Sequence, residues 1–226
     1  MEAVYTGRAA LWTLSICSGL IYPAAMNIAG IILAGGLGTR MGHVKKAFLE
    51  IGGKTILDRL LSVYCPLFHE IVISARDRED FLQYGLPVAE DRFEARSSLT
   101  GIHAGLHDIQ ADYGFFAACD APFVQAGLVK RLLAEVTADA DVVIPLKEDG
   151  YREPLCAVYS KRCLPYIEAQ LKTENYRIIG FFDQVKVKEV PIAQLREGDP
   201  DQISFFNVNS PDDLRQAEAL AKELAL

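Results

Sequence analysis

From Leu33 the chain reads Leu33-Ala34-Gly35-Gly36-Leu37-Gly38-Thr39-Arg40-Met41-Gly42, and Lys45 and Lys46 follow closely. Four glycines within these ten residues let backbone N–H groups encircle an anion, because no side chain blocks the approach and positive φ is permitted. Arg40 and a lysine would then neutralise phosphate charge, which reads as a phosphate-binding turn; the plainer alternative is a tight turn and nothing more. Walker A is excluded because GKS/T is absent. The dinucleotide fingerprint GxGxxG is excluded because Met41 stands where its last glycine is required.

A turn of this kind needs a strand before it and a helix after it. Short apolar runs do alternate with helical patterns: Ile28–Leu33 then Ile56–Tyr64, Glu70–Ser74 then Asp77–Tyr84, Phe115–Cys119 then Ala126–Ala138. Further elements are expected at Val142–Ile144, Leu155–Tyr159, Leu164–Lys172 (a helix), Tyr176–Gly180 and Lys186–Val190, and a last helix runs from Pro211 to Leu226 behind the cap residue Ser210. Runs such as Ile31-Ile32-Leu33 and Ile71-Val72-Ile73 are apolar at every position, as parallel strands covered on both faces require. The expected fold class is therefore a three-layer α/β/α domain. Its ligand crevice should lie beyond the strand ends, at the loops after Leu33, Cys119 and Tyr159.

The pattern LAGG-x-G-x-RMG-x-x-x-K, followed by a strand-terminal CD-x-PF, resembles the molybdenum cofactor guanylyltransferases. The likeness spans about residues 28–220 and continues through Glu90-Asp91, Leu99-Thr100-Gly101, Glu153–Tyr159 and Phe206–Leu214. It implies a mostly parallel, Rossmann-like sheet of the nucleotide-diphospho-sugar transferase type. It also implies transfer of GMP from GTP to molybdopterin-bound molybdenum cofactor, with release of pyrophosphate and formation of molybdopterin guanine dinucleotide. GTP and molybdopterin would be the partners, and a molybdoenzyme the client.

By the same resemblance Leu33, Ala34, Gly35 and Gly36 contact the nucleotide through the backbone, with Gly101 nearby. Lys46 and Arg40 would meet the phosphates, Asp91 the nucleoside, and Asp120 a Mg²⁺ ion. Asp120 suits that role physically: it ends an apolar strand, Ala121-Pro122 stops the strand, and a hard carboxylate oxygen is a Mg²⁺ ligand. The blander alternative is a turn or cap aspartate. No protein nucleophile is required, since a phosphorylated acceptor brings its own attacking oxygen.

Asn207 and Asn209 alternate on what reads as a short strand, so that both amides would face the acceptor, with Arg152 and Glu153 lining the same side; an Asx turn before Ser210 is the alternative. Relatives often carry Asp or Pro before the loop lysine where this chain has Lys45, which leaves either lysine open as the phosphate ligand. Some carry Asn at the position of Ser74. The histidines His43, His69, His103 and His107 include a pair spaced i, i+4, yet no HExxH glutamate accompanies them, which argues against a zinc site.

A net charge of −7 argues against nucleic acid as the main partner. Five scattered cysteines without a CxxC pair fit reduced thiols and a cytoplasmic setting. The apolar run Leu11–Tyr22 behind Arg8 resembles a leader, but it is too short to span a bilayer, no membrane partner is indicated, and Met26 directly precedes the first strand. The expected division is an extension over 1–25 and a single nucleotidyltransferase domain over 26–226. Competing readings are a molybdopterin cytidylyltransferase, a sugar-phosphate nucleotidyltransferase, and a non-catalytic nucleotide- or molybdopterin-binding adaptor.

Overall fold

The computed structural model describes residues 27–36 and 45–224. The leader and start-site readings, Arg40, and the last two residues of the expected C-terminal helix lie outside the described residues. Strand β1 (Ile28–Leu33) leads, after the glycine loop, to a small hairpin of β2 (Glu50–Ile51) and β3 (Lys54–Thr55). Gly52 and Gly53 turn that hairpin with φ of 58° and 75°, the doubly left-handed geometry that matches strand twist. Helix α1 (Ile56–Tyr64) follows at once, because the Thr55 hydroxyl accepts from Asp58 N and caps it.

Next come β4 (Ile71–Ser74), β5 (Val88–Ala89), α2 (Ser98–Asp108), β6 (Tyr113–Ala118), α3 (Ala126–Ala134), β7 (Val142–Leu146), β8 (Cys156–Ser160) and α4 (Leu164–Lys172). The described chain closes with β9 (Val187–Pro191), the single turn α5 (Ile192–Leu195), and α6 (Pro211–Glu223). One expected helical segment differs in kind, Arg78–Tyr84 being a 3-10 turn, and the element expected at Tyr176–Gly180 is a 3-10 turn over Ile178–Gln184. Helix α3 stops four residues early, where Glu135 caps it and Val136 bonds back to Leu133 O.

Seven strands form one sheet in the order β5-β4-β1-β6-β8-β7-β9, with β2 and β3 apart. Strand β1 pairs in parallel with β4 on one side and β6 on the other, so the winding reverses direction at β1 and a crevice opens beyond Leu33. Strand β8 is antiparallel to both of its neighbours. That reversal overturns one expectation: Ser160, at the C-terminal end of β8, sits opposite Tyr113 at the start of β6, so the loop after Tyr159 lies at the far edge. What reaches the crevice is the approach to β8, residues 153–155.

Alternation of side chains gives the sheet two apolar faces. Ile32, Ile73, Phe115 and Val158 pack with Leu57, Leu60 and Tyr64 of α1, Leu128 and Leu132 of α3, and Ala217 and Ala221 of α6. Ile31, Val72, Phe116 and Tyr159 pack with Leu99, Ile102 and Leu106 of α2 and Ile167 and Leu171 of α4. The result is the three-layer α/β/α arrangement, with its crevice framed by the ends of β1, β4 and β6.

Candidate active site

Sheet hydrogen bonding continues just past β1: Cys119 N donates to Leu33 O at 2.9 Å and Ala34 N donates to Ser74 O at 2.8 Å. Gly35 and Gly36 come after the last of these bonds and line a cavity of about 680 Å³. That volume falls inside the usual range for small-molecule sites, about 300–1,000 Å³. Leu33, Ala34, Lys46, Asp91, Gly101, Asp120 and Asn209 line it too.

Lys46 opens a 3-10 turn, Lys46–Phe48, anchored in the core by the buried Ala47. Its Nζ donates to Asn209 Oδ1 at 2.7 Å and lies 3.5 Å from Asp120 Oδ2. Both charged side chains are largely shielded, at 16% and 25% exposed. Lys45 instead pairs with Asp80 and, at 3.9 Å, with Asp77. Of the two lysines, it is Lys46 that stands in the crevice.

Asp120 is fixed through its backbone. Ala121 N donates to Ala118 O at 3.0 Å, which turns the chain, and Val208 N donates to Asp120 O at 2.7 Å, which brings the segment before α6 alongside. Asn209 is held from the other direction by a capping box: Asp213 Oδ2 accepts from Asn209 N and Ser210 N, and the Ser210 hydroxyl accepts from Asp213 N. The backbone bond from Asn209, followed by the side-chain hydrogen bond with Ser210, keeps the Asp213 carboxyl below the usual carboxylate range.

The segment 206–209 is not a strand as expected, because Val208 alone bonds across to a neighbour. Val208 is fully buried, and the asparagines on either side of it reach different places. Asn209 lines the large cavity, while Asn207 lines a second cavity of about 170 Å³, which Asp120 and Leu155 share with the first. Arg152, expected on the acceptor side, lines neither cavity. It forms an isolated bridge with Leu146, and its Nε donates to Glu189 Oε1 at 2.6 Å on β9. Neighbours along extended chain face opposite ways, so Tyr151 and Glu153 reach the second cavity and Arg152 does not.

At the opposite end of the large cavity, Asp91 faces two arginines that were not singled out in the sequence, Arg76 and Arg96. Burial raises the Asp91 pKa, with Arg76 and Arg96 opposing the shift. The first turn of α2 also contributes: Ser97 caps it by accepting from Thr100 N, and Ser98 and Gly101 line the wall. Such a helix start presents unpaired N–H groups to an anion. A Cβ at Gly101 would stand 3.1 Å from Leu33 Cδ2 and 3.3 Å from Ser74 Oγ, so glycine permits this close approach. Ser74, in place of the longer Asn, donates to Gly101 O at 2.8 Å and ties β4 to α2. Strand-end position would have pointed to Arg76, and the serine cap signal to Ser97.

The arrangement can hold a polyanion. It offers bare backbone at Gly35 and Gly36, cations at Lys46, Arg76 and Arg96, and one carboxylate at the junction of the two cavities. Cys119 and Cys156, the cysteines that line the cavities, are poorly suited as nucleophiles, because both are buried and burial pushes their pKa values up. Among the described residues no group of three or more His, Cys, Asp or Glu is placed to hold a metal. His103, one of the histidine pair, is buried between α2 and α4, with Nε2 3.2 Å from Glu168 Oε1. No described helix is long and apolar enough to cross a membrane.

Comparison with known proteins gives a consistent result. The model of the MobA-like NTP transferase domain matches residues 30–187. The chain is 40% identical over 195 residues to the molybdenum cofactor guanylyltransferase of Desulfosudis oleivorans, covering 86% of this chain and 96% of that protein. A solved structure, the molybdopterin-guanine dinucleotide biosynthesis protein A from Archaeoglobus fulgidus, superposes with a TM-score of 0.77 at 29% identity, covering 86% of this chain and 99% of the other. The 2-C-methyl-D-erythritol 4-phosphate cytidylyltransferase from Thermus thermophilus shares the fold alone, at a TM-score of 0.60 and 17% identity over 85% of this chain and 98% of the other.

Proposed function

The chain belongs to the molybdenum cofactor guanylyltransferase family and is a nucleotidyltransferase with a MobA-like domain; we propose that it transfers GMP from GTP to the phosphate of molybdopterin-bound molybdenum cofactor. The observation that carries this reading is the Lys46–Asp120–Asn209 cluster at the meeting point of a nucleotide-sized cavity and a smaller one. A phosphate oxygen of the acceptor forms a bond to the α-phosphorus of GTP. The bond from that phosphorus to the β-phosphate bridging oxygen breaks, and pyrophosphate carries away the electron pair.

The protein's part is positioning and charge neutralisation. Leu33, Ala34, Gly35 and Gly36 hold the nucleotide through the backbone, with Gly101 and the start of α2 behind them. Lys46 neutralises charge on the phosphates, and Asn209 aims its ammonium group. Asp91 accepts from the nucleoside. Arg40 lies in the same loop but outside the described residues, so its assignment to the phosphates rests on its place in the sequence.

Asp120 is the residue that would hold Mg²⁺. A single protein carboxylate suits this ion, which keeps several waters and takes its remaining ligands from substrate phosphates. When bound it would neutralise the non-bridging oxygens and the departing pyrophosphate. Asn207 lies on the acceptor side, in the second cavity. We place the enzyme in the cytoplasm, a reading supported by its scattered cysteines without a CxxC pair, and take the catalytic domain to begin near residue 26. The product would pass to a client molybdoenzyme.

The test is pyrophosphate release by the purified protein with Mg²⁺, molybdate-loaded molybdopterin, and GTP or CTP in parallel. GTP-dependent release is expected. Release with CTP alone would replace the guanylyl reading with a cytidylyl one, and release with neither would reject the acceptor.

A further inference from the structure

The smaller cavity contains a feature that nucleotide binding does not use. Tyr151 is 59% exposed, yet it does not sit on a loose loop: Lys147 N donates to Tyr151 O at 2.8 Å, Gly150 N donates to Lys147 O at 2.9 Å, and Tyr151 N donates to Asp149 Oδ1 at 2.9 Å. Lys147 Nζ lies 5.8 Å from the centre of the Tyr151 ring and 5.1 Å from that of Phe205, so one cation faces two rings. Lys147 also pairs with Glu153, whose side chain is only 13% exposed. The Glu153 backbone is pinned as well, N to Pro145 O at 3.2 Å and O to Cys156 N at 3.1 Å. Tyr151, Phe205, Glu153 and Asn207 line the same cavity, which reaches Asp120.

An exposed aromatic ring on a backbone-pinned turn, beside a shielded carboxylate, offers a flat, hydrogen-bonding ligand a stacking face and an acceptor edge. We infer that this cavity takes the ring end of the acceptor. The open face of Tyr151 stacks a planar, amide-bearing heteroaromatic ring, and Glu153 accepts two adjacent N–H groups from the edge of that ring. Each Glu153 oxygen has lone pairs beyond the one engaged by Lys147. At about 170 Å³ the space suits a fused ring and not a whole nucleotide. Because both cavities meet at Asp120, a phosphorylated arm on the ring would reach the carboxylate from the side opposite GTP. The inference rests on the guanylyl-transfer reading for the acceptor's phosphate; the ring site is a separate claim about Tyr151 and Glu153.

Two measurements test it on the full chain: fluorescence titration with free pterin as the probe, and the KM of molybdopterin in pyrophosphate release. Wild-type protein should bind free pterin. Tyr151→Ala should weaken pterin binding and raise the acceptor KM on the order of tenfold, the scale of one lost stacking interaction, while Tyr151→Phe restores most of the loss. Glu153→Gln should impair both readouts similarly, since an amide cannot accept at both positions. GTP affinity should stay put in all three. Turnover by wild type with acceptor KM and pterin affinity unmoved in the Ala and Gln variants would overturn the ring site alone. Pterin binding that depends on Tyr151 without any GTP turnover would uphold the ring site and reject guanylyl transfer. Loss of GTP affinity in step with pterin affinity, or no pterin binding by wild type, would also overturn the inference.

Discussion

Replacing Asp120 by Asn should move two properties of the enzyme in opposite directions. On the proposed function the cavity that Asp120 lines receives the GTP polyphosphate, and without a divalent ion the carboxylate would repel it. A phosphate oxygen charge about 4 Å from Asp120 is opposed by about 1 kcal/mol at the dielectric of water and by about 4 kcal/mol at an effective value near 20. Asp120 is 25% exposed and half-neutralised by Lys46 at 3.5 Å, which favours the lower part of that range. A cost of about 1.4 kcal/mol corresponds to a factor of ten in Kd. GTP should therefore bind Asp120→Asn about tenfold more tightly than wild type in EDTA, measured by calorimetry or with a fluorescent GTP analogue. Turnover with Mg²⁺ should fall by at least about a hundredfold, the usual scale for removing a group that stabilises transition-state charge. Folding should survive, because the bond from Val208 N goes to the Asp120 backbone oxygen and Lys46 keeps Asn209. GTP affinity in EDTA that is unchanged or weaker would show that the carboxylate does not face the phosphates, and turnover that is unchanged would remove it from catalysis.

The two loop lysines should separate cleanly: Lys46→Ala should weaken GTP binding by about ten- to a hundredfold, the loss of one charge-assisted contact, whereas Lys45→Ala, which among the described residues gives up its pairs with Asp77 and Asp80, should stay within about twofold; the reverse order in a GTP titration would reassign the phosphate contact. For His103, burial lowers the pKa most strongly, Glu168 opposes the shift, and His107 and Arg92 add to it. The folded value thus lies below the unfolded one, so this group's stabilisation is full above the unfolded pKa near 6.5 and is lost as pH falls from there through the folded value. Thermal melts at pH 7.5 and 5.5 should show a smaller acid-induced drop for His103→Gln than for wild type, and equal drops would mean that His103 does not titrate with folding.

Local pattern carried some of this molecule into view and topology withheld the rest. Helices α1 and α4 have the bounds their apolar periodicity indicates, because each has one buried stripe and a clear start at Thr55 or at the Pro165 turn. Leu33 to Gly36 and Asp120 could be placed at the crevice because glycine spacing and a strand-ending aspartate are local signals, whereas Lys45 and Lys46 stayed undivided until their partners were seen. Arg96 could not be placed, since nothing in its neighbours says which crevice it will face, and Arg76 was marked only by its place just past the end of β4. The direction of β8 was equally hidden: Cys-Ala-Val-Tyr-Ser is buried at every position and would read the same in a parallel strand. Yet that direction determines the site. β7 runs parallel to β1 and β6, so the turn at 147–151 behind it comes to the edge where they end, and with β8 antiparallel the approach to β8, Glu153 included, stays at that edge. A parallel β8 would have sent residues 153–155 to the opposite edge. The meeting of the two cavities at Asp120 is thus a property of strand direction, which no single motif in the chain encodes.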